Sequence, residues 1–166
     1  MTAYQENEIR KSISGFSSVW QRVSQPPQTE TDAALSRRTP TLSELIRDEK
    51  LAGASDACLA RRLTGQARAV LIRHADAARR RCRRLRAEYF IQEGRCDRSE
   101  CRTGEIGDCL TALRCAYRRD LETARKYGAA ARTDDPELKK LYRAFEQELV
   151  TAACEKRALI LRLFCR

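Results

Sequence analysis

Apolar residues return every three to four positions along most of this chain, and the alternation that marks strands is missing. β-Branched runs are absent, and turn formers are sparse at seven Gly and four Pro. The pattern predicts an all-α protein. Residues 4–23 form a short amphipathic stretch carrying Ile9, Ile13, Phe16, Val19 and Trp20. The consecutive prolines of "SQPPQTETD" end it, because proline lacks the amide donor that a helix interior needs. The organisation expected is therefore an N-terminal helical arm over 1–23, a linker over 24–40 and a main domain over 41–166.

Four long helices are expected in that main domain. Helix A runs over about 42–63, with Thr41 and Glu44 at capping-box spacing. Gly65 breaks it, helix B runs over about 66–93, and Gly94 ends helix B in the manner of a left-handed cap. A polar connection follows, and helix C spans about 106–131. Helix D spans about 136–164, with Pro136 in its first turn, where a missing amide costs nothing. Four such helices imply a four-helix bundle. Eleven connecting residues, 95–105, reach roughly 36 Å when extended, and a 20-residue helix is roughly 30 Å long. The connection can therefore cross the bundle and leave helices B and C parallel.

One helix departs from the pattern. In "AVLIRHADAARRRCRRLRAEYF", residues 69–90, the inward stripe fades from Val70 and Leu71 into Ala75, Ala78 and Arg81 before Leu85 and Tyr89 resume it. A shift of 71 residues superposes the two helical pairs: Glu49 falls on Asp120, Asp56 on Tyr127, Ala78 on Leu149 and Arg81 on Ala152. In each half a carboxylate thus precedes an i, i+3 pair by 29 residues, and that spacing aims both members of the pair inward. On "ELIRDEKLAGASDACLA", "LRAEYF" with Gly94, "ALRCAYRRDLETARKYGAAA" and "TDDPELKKLYRAF", the chain resembles the ferritin-like superfamily, in particular small rubrerythrin-like proteins.

The resemblance implies a ferritin-like bundle whose metal ligands are one carboxylate on each of two helices and a Glu-x-x-His pair on each of the others. Carried over residue by residue, Glu49 keeps the helix A carboxylate and Asp120 the helix C one, shorter by a methylene. The paired positions hold Ala78 and Arg81 on helix B, and Leu149 and Ala152 on helix D. Four of six ligands are gone. Glu49, Arg81 and Asp120 are expected to meet at mid-bundle, with the guanidinium between the two carboxylates.

Net charge is +10, and residues 61–86 alone hold ten Arg against one Asp. Arg79, Arg80, Arg83, Arg84 and Arg86 make either a phosphate-binding face or a solvated helix face whose arginine stems cover apolar surface. The eight cysteines include no Cys-x-x-Cys, so neither a zinc ribbon nor a rubredoxin-type iron site is written here. Cys96, Cys101 and Cys109 form a candidate thiol cluster, and reduced thiols suit the cytoplasmic placement expected from an N-terminus without an apolar leader. His74, the single histidine, is expected to pair with Asp56 in the core. No nucleophile–base pair or glycine-rich phosphate loop is present, so the chain reads as non-enzymatic.

The expected function is a metal-free, cofactor-free structural or interaction module, with a protein partner or self-association and no membrane. The alternatives are a residual redox protein holding iron or another transition metal through Glu49, Asp120, His74 or the thiols, and a nucleic-acid-binding protein using the arginines of helix B.

Overall fold

A computed structural model describes residues 39–99 and 107–164. The arm expected over 1–23 and the linker as far as residue 38 lie outside the described residues. Four α-helices make up the described fold, with no strand among these residues: α1 Leu42–Arg62, α2 Gly65–Glu93, α3 Cys109–Ala130 and α4 Pro136–Phe164.

The helix ends follow from local chemistry. Thr41 Oγ1 accepts from the Glu44 amide and the Glu44 carboxylate accepts from the Thr41 amide, a complete capping box. Gly94 adopts φ 67° and donates its amide to the Phe90 carbonyl, so α2 stops at a residue with no Cβ to clash. Gly65 does not merely end the first helix. It is the first residue of α2, at φ 56°, after an extended two-residue link through Leu63 and Thr64. The third helix begins three residues later than expected, because Asp108 caps it: its carboxylate accepts from the amides of Leu110 and Thr111.

Cross-helix bonds fix the topology. Asp48–Lys126 and Asp56–Arg119 make α1 and α3 antiparallel. Cys82 against the Ile46 carbonyl, with Gly53 close to Ala75 and Ala78, makes α1 and α2 antiparallel. Arg162–Gln66 and Arg81–Glu148 do the same for α2 and α4, and Lys156–Asp120, with Gly128 against Glu146, for α3 and α4. Two helices that each oppose α1 run parallel to one another, so α2 and α3 are parallel and occupy opposite corners, their backbones well apart. Both described ends of their connection lie along α1. Lys50 donates to the Asp97 carboxylate and to Ser99, and Arg62 donates to the Gly107 carbonyl.

The core is layered. One apolar cluster holds Leu45, Ile46, Leu85, Tyr127, Phe145 and Leu149. A second holds Leu59, Leu71, Leu113 and Ile160, and a small third one beside it holds Ala67, Val70 and Leu159. Tyr127 and Phe145 meet edge to face with centroids 5.5 Å apart, a geometry worth about 0.5–1.5 kcal/mol beyond area burial. Between the clusters α1 and α2 approach closely on small residues. A Cβ added at Gly53 would sit 3.4 Å from the Ala75 carbonyl oxygen. The polar residues of the bundle interior lie in that middle zone.

Candidate functional site

Two clusters of buried charge fill the centre. In the first, the Arg81 guanidinium donates from Nε to Glu49 Oε1 at 2.9 Å and from a terminal nitrogen to Glu49 Oε2 at 3.0 Å. Its other terminal nitrogen reaches Glu148 at 3.1 Å, on the bundle surface. The Tyr127 hydroxyl donates to Glu49 Oε1 at 2.8 Å. The Glu49 carboxylate thus accepts three bonds while itself only 1 % exposed. The paired, planar fork of arginine matches a carboxylate as no other cation does.

In the second, Lys156 donates from Nζ to Asp56 at 2.7 Å and to Asp120 at 2.6 Å. Lys156 is 1 % exposed and both aspartates are equally enclosed. Arg119 supplies a weaker bond to Asp56 at 3.4 Å. A lysine so buried needs charged partners, since an isolated ammonium in such a place would lose its hydration without compensation.

Ionisation follows from these contacts. Burial pushes the Glu49 carboxyl above its ordinary range, against the pull of Arg81 and Tyr127. Burial opposes the Arg81 charge, but the Glu49 carboxylate outweighs it and holds the guanidinium firmly protonated. The Tyr127 hydroxyl is pushed up by burial and by the adjacent carboxylate, so it remains a donor. Burial raises the Asp120 carboxyl too, with Lys156 pulling the other way.

The expected meeting of Glu49, Arg81 and Asp120 needs correction. Arg81 joins Glu49, but Asp120 bonds Lys156, one turn along the bundle. Arg81 lies 32 residues after Glu49, whereas Lys156 lies 36 after Asp120, so each half draws its cation from a different rung of the following helix. The expected Asp56–His74 pair is also corrected. Both residues are buried, but Asp56 is taken by Lys156 and Arg119, while His74 Nε2 bonds Glu155 at 2.6 Å. Glu155 in turn accepts from Arg73. Burial, then Lys156, lower the His74 pKa. A neutral imidazole also suits Nδ1, which is buried without a partner: a bare nitrogen there costs less than an N–H with no acceptor.

Of the other positions, Ala78 and Leu149 are buried and Ala152 is half-buried. Together with Ala77, Ala144 and Thr151 they line an open cleft of about 490 Å³ between α2 and α4, and Asp56, Asp120 and Lys156 lie at its inner side. Arg79, Arg80, Arg83, Arg84 and Arg86 are all exposed. Cys96 and Cys109 are free thiols, as are Cys58, Cys82, Cys115 and Cys154; Cys101 lies outside the described residues.

The described residues at the six carried-over positions do not fit a pair of metal ions. Four of the six positions carried over from the resemblance have no metal-binding side chain, and the two carboxylates that remain are committed to Arg81 with Tyr127 and to Lys156. Among the described residues no three His, Cys, Asp or Glu side chains gather to hold a metal. Lys156 was not singled out from the sequence. The signal was present, since Leu149, Ala153, Lys156 and Ile160 share one buried stripe and a lysine on such a stripe must find carboxylates. No protein-family model, curated protein or solved structure matches the chain. No described helix is long and apolar enough to cross a membrane.

Proposed function

We propose that this chain is a metal-free member of the ferritin-like group, related to rubrerythrin-like proteins, that works as a non-catalytic structural or interaction module. The reading rests on one observation above the others. Positively charged side chains, Arg81 and Lys156, hold the carboxylates at the middle of the bundle. Each is anchored covalently to a helix and supplies the positive charge that buried carboxylates require, without redox chemistry. The parallel run of α2 and α3 and the 71-residue register between the two helical pairs agree with the same ancestry.

Elemental analysis of the untagged protein, purified without chelators, tests this reading. Metal well below one ion per chain is expected, with no shift of the thermal transition on adding ferrous or manganous ion. One or two ions per chain would instead select a residual metal protein using Glu49, Asp120, His74 or the thiols.

A further inference from the structure

We propose that the outer face of α2 binds nucleic acid through its phosphate backbone. Between Asp76 and Glu88 the helix carries six arginines and no acidic residue. Arg81 alone turns inward, and the other five stand in solvent. Arg79 and Arg84 have carboxylate partners in Asp76 and Glu88. Arg80, Arg83 and Arg86 have none among the described residues. Arg79 with Arg83, and Arg80 with Arg84, are like charges four residues apart, an arrangement that weakens a helix unless an anion lies across it.

The neighbourhood fits a repeating anion better than a single one. Arg79 to Arg86 rises about 10.5 Å along the axis, and a nucleic-acid strand offers a charge about every 3.4 Å. Beside this row a groove of about 400 Å³ runs between α1 and α2, with Gly53 and Ala54 among its walls; Arg83 lends it an unpaired positive charge, while Lys50 and Arg79 there are paired with Asp97 and Asp76. Gly53 lets α1 and α2 close against one another at its floor, and the Glu49 carboxylate in the groove is already bound by Arg81. One turn beyond Arg86 stands Phe90, 54 % exposed, with Ile91 next to it. An aromatic ring at the end of a cationic row is a platform for an unpaired base or a sugar. Two apolar side chains at one helix end do not make the broad apolar face that lying in a membrane requires.

This inference is independent of the metal-free reading and can fail alone. The test is fluorescence anisotropy of the full chain with a labelled 20-nucleotide duplex and its single strand, as a function of salt. The triple variant Arg80→Gln, Arg83→Gln, Arg86→Gln breaks no ion pair among the described residues, so its fold is spared. The charge-matched control is Arg114→Gln, Arg118→Gln, Arg125→Gln, exposed on α3 at the opposite corner. The first triple is expected to weaken binding about tenfold or more at about 50 mM salt and to lower the salt slope by about 2 to 3, while the control keeps the parent slope. No binding by the parent at that salt, or equal losses in the two triples, would overturn the proposal. Adsorption to anionic phospholipid vesicles that the first triple abolishes, without binding to either oligonucleotide, would overturn it in favour of a lipid surface.

Discussion

The two charge clusters stand at related places in the two halves of the bundle and solve the same problem differently. The 71-residue register places Glu49 on Asp120 and Asp56 on Tyr127. The first cluster is thus a carboxylate and a phenol, and the second a carboxylate pair. One arginine suffices for the first: its fork takes both oxygens of Glu49, the phenol adds a neutral bond, and the spare nitrogen reaches Glu148 at the surface. The second needs a compact cation between two acids, and the ammonium of Lys156 donates to both at once. Arginine suits one planar acceptor, whereas lysine suits two acceptors that approach from different helices. Positions 71 residues apart thus hold dissimilar polar groups, each cation suited to its partners.

The largest expected effect is Lys156→Met. It leaves Asp56 and Asp120 facing one another with only the long Arg119 contact, and unfolding in denaturant should show a loss at or above the roughly 3–5 kcal/mol of a broken buried pair. Arg81→Met should cost less, about 3 kcal/mol, because Tyr127 still serves the stranded Glu49. Adding Glu49→Gln should restore part of that loss. If Arg81→Met proves the costlier single change, the comparison between the clusters is inverted.

Smaller effects sharpen the contrast. Tyr127→Phe should cost about 1.5–3 kcal/mol, the value of one bond to a charged acceptor. His74 has a pKa lowered in the fold, so the unfolded chain binds its proton first as pH falls. Stability from this residue is complete above about pH 6.5 and is lost on acidification through the folded pKa. Unfolding measured from pH 7.5 down to 5 should show a decline that His74→Gln flattens. Glu155, lowered after its own burial is outweighed by bonds from His74 and Arg73, contributes in the same direction only at lower pH. Arg119→Gln should cost under about 1 kcal/mol, since its bond is long and its side chain partly exposed.

Helix boundaries were largely legible in the sequence because their signals are local. Thr41 with Glu44, Gly94 and Pro136 each act within one turn. Asp108 was missed as the start of α3 because a cap followed by Cys and Leu has no acidic partner three residues on. The clusters were legible only in part. The inward positions of Glu49, Arg81 and Asp120 follow from periodicity, but which cation reaches which acid depends on a one-turn difference across three helices. Periodicity gives the face of a helix and not its axial level against a neighbour, so Lys156 was overlooked and His74 was assigned to Asp56. Glu155, still 39 % exposed at its side chain, offered no sign of burial that would mark it as the partner of His74.

The central claim is that Arg81 and Lys156 are present to neutralise buried carboxylates. The free energy of unfolding of Lys156→Met, set beside that of Lys156→Met with Asp56→Asn and Asp120→Asn, tests it most directly. Removing the cation alone leaves two uncompensated acids, and removing all three charges leaves none. The triple variant is predicted to regain most of the stability lost by the single one. A single variant as stable as the parent, or a triple variant no more stable than the single, would contradict the account.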